Sequence, residues 1–235
     1  MMTNKIIEYW DKNIVSRHIG TELQWLFKYL NENNITNVSY IDIGSNVGKF
    51  YDEISKEYTV NKCVMVEPSE SLFKYMNEKY SGINSIEMFN FAISDENGSF
   101  ELDNSVTVSI DYFNNIGVNE SINLGLSKLS KHRPGSTICY SMEYFLTDIN
   151  SIPLTDITFI KIDSENMDLQ IIKNMTELFK KNNINPFILF ENNYHNDMSS
   201  DDANEIMKNF TSKCGYEEVD LTYSGDNFIM PIKRK

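Results

Sequence analysis

The chain has 235 residues, 41% of them hydrophobic, which suffices for one substantial core and, by length, one domain spanning 1–235. Its 34 acidic residues against 21 basic ones give a net charge of -13, which repels a phosphate backbone and sets nucleic acid aside as a partner unless a local basic patch intervenes. No run approaches the roughly 18 apolar residues of a membrane span, and "MMTNKIIEYWDKN" lacks the pattern of a secretory leader, so a cytoplasmic protein with no membrane contact is expected.

From Lys5 to about Leu30, apolar residues at Ile6, Ile7, Trp10, Ile14, Leu23, Leu26, Phe27 and Leu30 have the spacing of amphipathic helices. "NENNITN" interrupts them, since asparagine side chains compete for backbone hydrogen bonds, and a first strand begins near Val38. After "GSNVGKF" come a short helix, a buried strand "KCVMVEPS", a helix "SESLFKYMNEKY" and an alternating strand "SIEMFNFAIS" that reaches a turn at Asn97 and Gly98. "SFELDNSVTVSI" reads as extended, and Asp111 to Thr137, closing with "KLSKHRPGS", as a long polar loop or insertion. "DITFIKID" and "PFILFENN" are strands ending in acids or amides, with a helix between them. "ANEIMKNFTSKCG" is a helix stopped at Gly215, and "YEEVDLT" with "NFIMPIK" forms a hairpin. This alternation predicts an α/β fold, a doubly wound, mostly parallel sheet with an antiparallel C-terminal hairpin strand and N-terminal helices. Cys63, Cys139 and Cys214 are far apart and make no CxxC, so idle thiols are expected.

The stretch "YIDIGSNVGKF" runs a strand into two glycines. A P-loop needs four residues between its glycines and a hydroxyl after its lysine. Here there are three, Ser45 to Val47, and Lys49 precedes Phe50. A dinucleotide fingerprint needs a middle glycine where this chain has Asn46. S-adenosylmethionine carries no phosphate but does carry a sulfonium and an ammonium. Asp42 at the strand end would favour that cationic portion, and the glycine turn would admit the ligand close to backbone. Glu67, at the end of the second strand, stands where an acid accepts from ribose hydroxyls in such folds. Each acid could equally cap a turn.

In the order of its motifs the chain resembles the FkbM-type S-adenosylmethionine-dependent methyltransferases. "YIDIGSNVGKF", "VMVEPSESLF", "NFAISDENGSFEL", "FIKIDSENMDLQII", "FILFENN" and "GDNFIMPIK" match in turn, over about Val38 to Ile232. Asn166 stands where the family has glycine after Glu165, and 111–137 matches nothing in the pattern. The resemblance implies a Rossmann-like class I methyltransferase fold with a seven-stranded sheet, S-adenosylmethionine as donor, and O-methylation of a hydroxyl on a sugar or other small polyol-like acceptor. It places Gly44, Ser45, Asn46 and Gly48 along the methionine end with Asp42 beneath, Glu67 on the ribose, Pro68 and Ser69 around the adenosine, Asn90 and Ala92 near the adenine, and Asp163 beside the cofactor.

Methyl transfer needs a positioned nucleophile and a base near the methyl group. Asp163 and Glu165 at one strand end and Glu191, with Asn192 and Asn193, at the next are the candidates. Asp163 and Glu165, two apart, share a face in extended backbone, so one pKa should rise. Asp163, Glu191 and Asn192 could alternatively hold magnesium against acceptor hydroxyls. Of the histidines, His18 could cover the cofactor, His132 between Lys131 and Arg133 could meet an anionic group such as a sugar-nucleotide phosphate, and His195 could assist as a base. Each also fits a plain surface or core role. The rival functions are an RNA methyltransferase, which the acidic charge opposes, and an inactive methyltransferase fold used as an interaction module.

Overall fold

The computed structural model describes residues 20–103, 128–164, 167–191, 198–219 and 226–231. Helix α1 (Gly20–Glu32) leads into β1 (Asn37–Ile43), α2 (Lys49–Glu57), β2 (Thr59–Val66), α3 (Glu70–Lys79) and β3 (Ile86–Phe89). Strands β4 (Ala92–Ser94), β5 (Gly98–Asp103), β6 (Lys128–Pro134) and β7 (Thr137–Ser141) follow. The chain then passes through helical turns at 142–149 and 154–156 to β8 (Phe159–Ile162), α4 (Asp168–Asn182), β9 (Phe187–Glu191), α5 (Ser200–Cys214), β10 (Tyr216–Val219) and β11 (Asp226–Pro231).

Seven strands form the central sheet in the order β10-β11-β9-β8-β1-β2-β3. All its neighbours are parallel except β11, which runs antiparallel to both β9 and β10. The chain winds outward from β1 through β2 to β3, then returns to place β8 on the other side of β1. The direction of winding thus reverses between β1 and β8, and open α/β sheets bind ligands at the carboxyl ends of strands at such a point.

Alternation along the strands distributes the two cores. Ile41, Ile43, Val64, Val66, Ile160, Ile162, Ile188 and Phe190 pack with α4 and α5 on one face. Val38, Tyr40, Cys63, Met65, Phe159, Phe187 and Leu189 pack with α1 and α2 on the other. Helix α5 stops at Gly215, whose φ of 76° is left-handed, as the sequence predicts.

Two expectations are corrected. The run "SIEMFNFAIS" is not one strand: β3 pairs with β2 in the central sheet, whereas β4 pairs with β7 in a second sheet. The Asn90 side chain stands at the break, donating to the Glu67 carbonyl at 2.9 Å and the Pro68 carbonyl at 3.1 Å. Nor is 111–137 a loop throughout. "KLSKHRP" is strand β6, antiparallel to β5, and Thr137 opens β7. These strands build a four-stranded sheet in the order β4-β7-β5-β6. The polar text of β6 hid its pairing, because a strand in a half-exposed sheet carries few apolar residues. The first part of the N-terminal helices and the remainder of 111–137 lie outside the described residues, as does His18.

Candidate functional site

The strand registers line up the site. Ile43 pairs with Val66 and with Ile162, Val66 with Phe89, and Ile162 with Phe190. One residue further along each strand, Asn90, Glu67, Gly44, Asp163 and Glu191 therefore form a row across the carboxyl edge of the sheet. Asp226 of β11 pairs with Glu191 and extends it.

In the middle of this row the chain between β1 and α2 coils tightly. Gly44, Asn46 and Gly48 have φ of 72°, 53° and 73°, left-handed values that glycine adopts freely and asparagine tolerates. A Cβ on Gly44 would lie 1.8 Å from the Asp163 carbonyl oxygen, so β1 and β8 meet there backbone to backbone. A Cβ on Gly48 would lie 2.4 Å from the Tyr80 ring. The Tyr80 hydroxyl donates to the Gly48 carbonyl at 2.6 Å and lies 2.9 Å from Asp52 Oδ1, while Lys79 Nζ reaches the Val47 carbonyl at 3.0 Å and Asp52 at 2.7 Å. The end of α3 thus clamps the turn from below.

Glu67 joins the turn to the loop after β2. Its Oε2 accepts from the Asn46 N–H at 2.9 Å and its Oε1 from the Ser69 N–H at 2.8 Å. Burial pushes its carboxyl up to about 7, with those two N–H donors opposing. The row opens into a cavity lined by Gly44, Asn46, Glu67, Pro68, Asp163 and Ser164 on the polar side. Ile43, Val66, Leu72, Phe91, Ala92 and Ile93 supply the apolar wall, and Leu102 of β5 and Leu129 of β6 line it from the second sheet. The cavity opens at the carboxyl edge of the central sheet, with the second sheet forming one of its walls.

Of the predicted cofactor residues, Gly44, Asn46, Glu67, Pro68, Ala92 and Asp163 come together on this cavity. The others support it. The Ser45 hydroxyl is buried, donating to the Asp42 carbonyl at 2.7 Å and accepting from the Val66 N–H at 3.2 Å, so it staples β1 to β2. Gly48 starts α2, Ser69 holds Glu67, and Asn90 pins the break after β3. Asp42 is 0% exposed and does not line the cavity. It pairs in register with Lys161 of β8, whose Nζ lies 3.4 Å from Asp42 Oδ1 and 3.1 Å from Asp163 Oδ2, and also reaches the Gly44 carbonyl at 3.4 Å. Burial lifts the Asp42 carboxyl, and Lys161 opposes that rise.

The acid lining the cavity beside the glycine turn is therefore Asp163, held by buried Lys161, which opens the Lys-x-Asp-x-Glu pattern of "FIKIDSENMDLQII" but carries no assigned role in the sequence reading. A lone lysine in "FIKID" gives no signal by itself. What could have exposed it is the alternation that places it in line with Phe159 and Asp163, on the face that also carries Asp42. Leu102 and Leu129 were missed because they come from a sheet the sequence did not reveal.

Glu165, Asn166, Asn192, Asn193 and His195 lie outside the described residues, as do the side chains of Glu191 and His132. Among the described residues no three His, Cys, Asp or Glu side chains gather to hold a metal, and no helix is long and apolar enough to cross a membrane. Cys63, Cys139 and Cys214 are buried and unbridged.

A doubly wound sheet with a reversed final strand, a glycine turn after β1 and an acid after β2 defines the Rossmann-like class I methyltransferase fold. Within that class the chain belongs to a particular family: the methyltransferase FkbM domain matches residues 42–218, about three quarters of it. Among solved structures, methyltransferase FkbM from Methylobacillus flagellatus is similar at 16% identity with a TM-score of 0.49, the match covering 83% of this chain and 43% of that one. This chain thus spans less than half of that protein's length. A SAM-dependent methyltransferase from Aquifex aeolicus is similar at 11% identity with a TM-score of 0.46, covering 97% of this chain and 98% of that one. Curated proteins gave no match.

Proposed function

We propose that the protein transfers a methyl group from S-adenosylmethionine to a hydroxyl of a small molecule, a sugar or sugar conjugate. The observation that carries this reading is the row Glu67, Gly44, Asp163 at the point where the winding of the sheet reverses, opening on one cavity. The residues present suit that cofactor. Glu67 offers carboxylate oxygens for ribose hydroxyls, and Leu72, Phe91, Ala92 and Ile93 give an apolar wall for a base. Asp163 supplies a negative charge beside the left-handed turn, and the missing Cβ atoms of Gly44 and Gly48 let strand, turn and α3 close up around it.

The bound cofactor would supply an already activated methyl group, leaving the protein to orient the acceptor oxygen and remove its proton. Asp163 is tied to Lys161, which fixes its carboxylate beside the cavity. The base then comes from Glu165 or Glu191, the latter opposite Asp163 at the end of the next strand. An acidic rim of this kind accepts from several hydroxyls at once, which favours a neutral polyol over a polyanion. Magnesium is not needed for this reading, and Asp163, Glu191 and Asn192 would be its ligands if the reaction proved to require it.

The test is transfer of label from methyl-labelled S-adenosylmethionine to a panel of sugars and sugar nucleotides, with total RNA as the competing acceptor, run with and without chelator. Label in a sugar fraction that is lost in Glu165→Gln or Glu191→Gln supports the reading. Label in RNA alone would replace it with the rival enzyme.

A further inference from the structure

Ser164 follows Asp163 at the mouth of the β8 strand end, and its hydroxyl oxygen is buried with no hydrogen-bond partner among the described residues. The rest of the residue is well anchored. Its N–H donates to the Asp168 carboxylate at 3.3 Å, tying the loop to the start of α4, and Asp168 is itself buried. A hydroxyl kept out of water without a partner is costly, and such a group in a native fold calls for an explanation. Here the surroundings supply one: Ser164 lines the same cavity as Gly44, Asn46 and Asp163.

The two ends of that cavity differ in chemistry. Glu67, Pro68 and Leu72 mark one end, where both Glu67 oxygens are already aligned by backbone N–H groups. Asp163 and Gly44 mark the other, where the two backbones touch and the Asp163 carboxylate is held by Lys161. Ser164 belongs to this second end. A fixed carboxylate and a hydroxyl on one cavity suit a zwitterion: the carboxylate attracts the ligand's ammonium, and the hydroxyl donates to its carboxylate or accepts from its ammonium.

We propose that Ser164 is a further ligand-binding residue, whose hydroxyl completes its hydrogen bonding on the amino-acid end of the cofactor. This inference rests on the reading of the cavity as an S-adenosylmethionine site. Because the hydroxyl bonds no other described residue, its removal is expected to leave the fold intact and to touch only ligands that carry the amino-acid end.

Ser164→Ala separates these consequences. Binding of S-adenosylmethionine, S-adenosylhomocysteine and adenosine to wild type and variant is measured by calorimetry, with thermal unfolding of both proteins in the absence of ligand. The expected result is about a 5-fold to 10-fold loss of affinity for the two full-length ligands, no change for adenosine, and an unfolding temperature equal to or above that of wild type. Unchanged affinity for the full-length ligands would overturn the proposal. So would an equal loss for adenosine or a lowered unfolding temperature, either of which assigns the serine a structural part. Failure of the wild type to bind any of the three would overturn the cofactor reading itself, a result distinct from a variant that binds like wild type.

Discussion

Glu67 and Lys161 are the two residues whose chemistry most directly exposes the site to measurement. Burial lifts the Glu67 carboxyl from 4.5 to about 7, so between those values the folded protein holds a proton that the unfolded chain has released. The contribution to stability is present below pH 4.5 and is lost as pH rises through 7. Glu67→Gln removes this dependence, so the urea midpoints of wild type and variant should draw together at acid pH and separate in favour of the variant above neutrality. Affinity for adenosine should move the opposite way, rising with pH in wild type as the carboxylate ionises and staying flat in Glu67→Gln. Asp163 and Lys161 also act on Glu67, but both remain in the variant and drop out of the comparison. Lys161 makes a different prediction. Lys161→Met leaves Asp42, 0% exposed, without its counter-charge, and breaking a buried pair from one side costs about 3 to 5 kcal/mol. Adding Asp42→Asn should restore a large part of that loss in urea unfolding. An additive double variant would mean that the two residues do not act as a pair.

At the scale of elements, the glycine turn depends on α3 as much as on its own sequence. Tyr80→Phe removes the hydroxyl that holds the Gly48 carbonyl and faces Asp52. It should cost about 1 to 2 kcal/mol in stability and weaken S-adenosylmethionine more than it weakens the fold, because the turn loses its clamp. The second sheet makes its own prediction. Leu102 and Leu129 line the cavity from the second sheet, whose edge strand is β6, so ligand binding should alter amide exchange in β5 and β6 more than in the central strands β1 and β8. Equal protection of all four strands would mean that the wall does not move. These elements also show which parts of the fold were legible. Strands β1, β2, β8 and β9 are largely apolar in their carboxyl halves, with an acid closing β9 and following β2 and β8, and buried parallel strands leave that apolar signature. Strand β6, with "KLSKHRP", carries no such signature because it pairs at the margin of a smaller sheet, and β3 and β4 read as one strand until Asn90 is seen to pin the backbone between them.

For the whole molecule, the order β10-β11-β9-β8-β1-β2-β3 brings acids from separate stretches of sequence to one edge. Glu67 and Asp163 were legible as strand-end acids. Asp42 was legible too, but its burial beneath the turn could not be read from a strand end, and Ser164 carried no signal because an unpaired hydroxyl exists only in three dimensions. The central claim is that this edge binds S-adenosylmethionine through Glu67. Calorimetric titration of wild type and Glu67→Ala with S-adenosylmethionine, on samples shown to be folded, tests it most directly. A Kd of about 1 to 100 µM for wild type, weakened at least about 10-fold by Glu67→Ala, is the result predicted. No binding by the folded wild type, or equal binding by the two proteins, would contradict it.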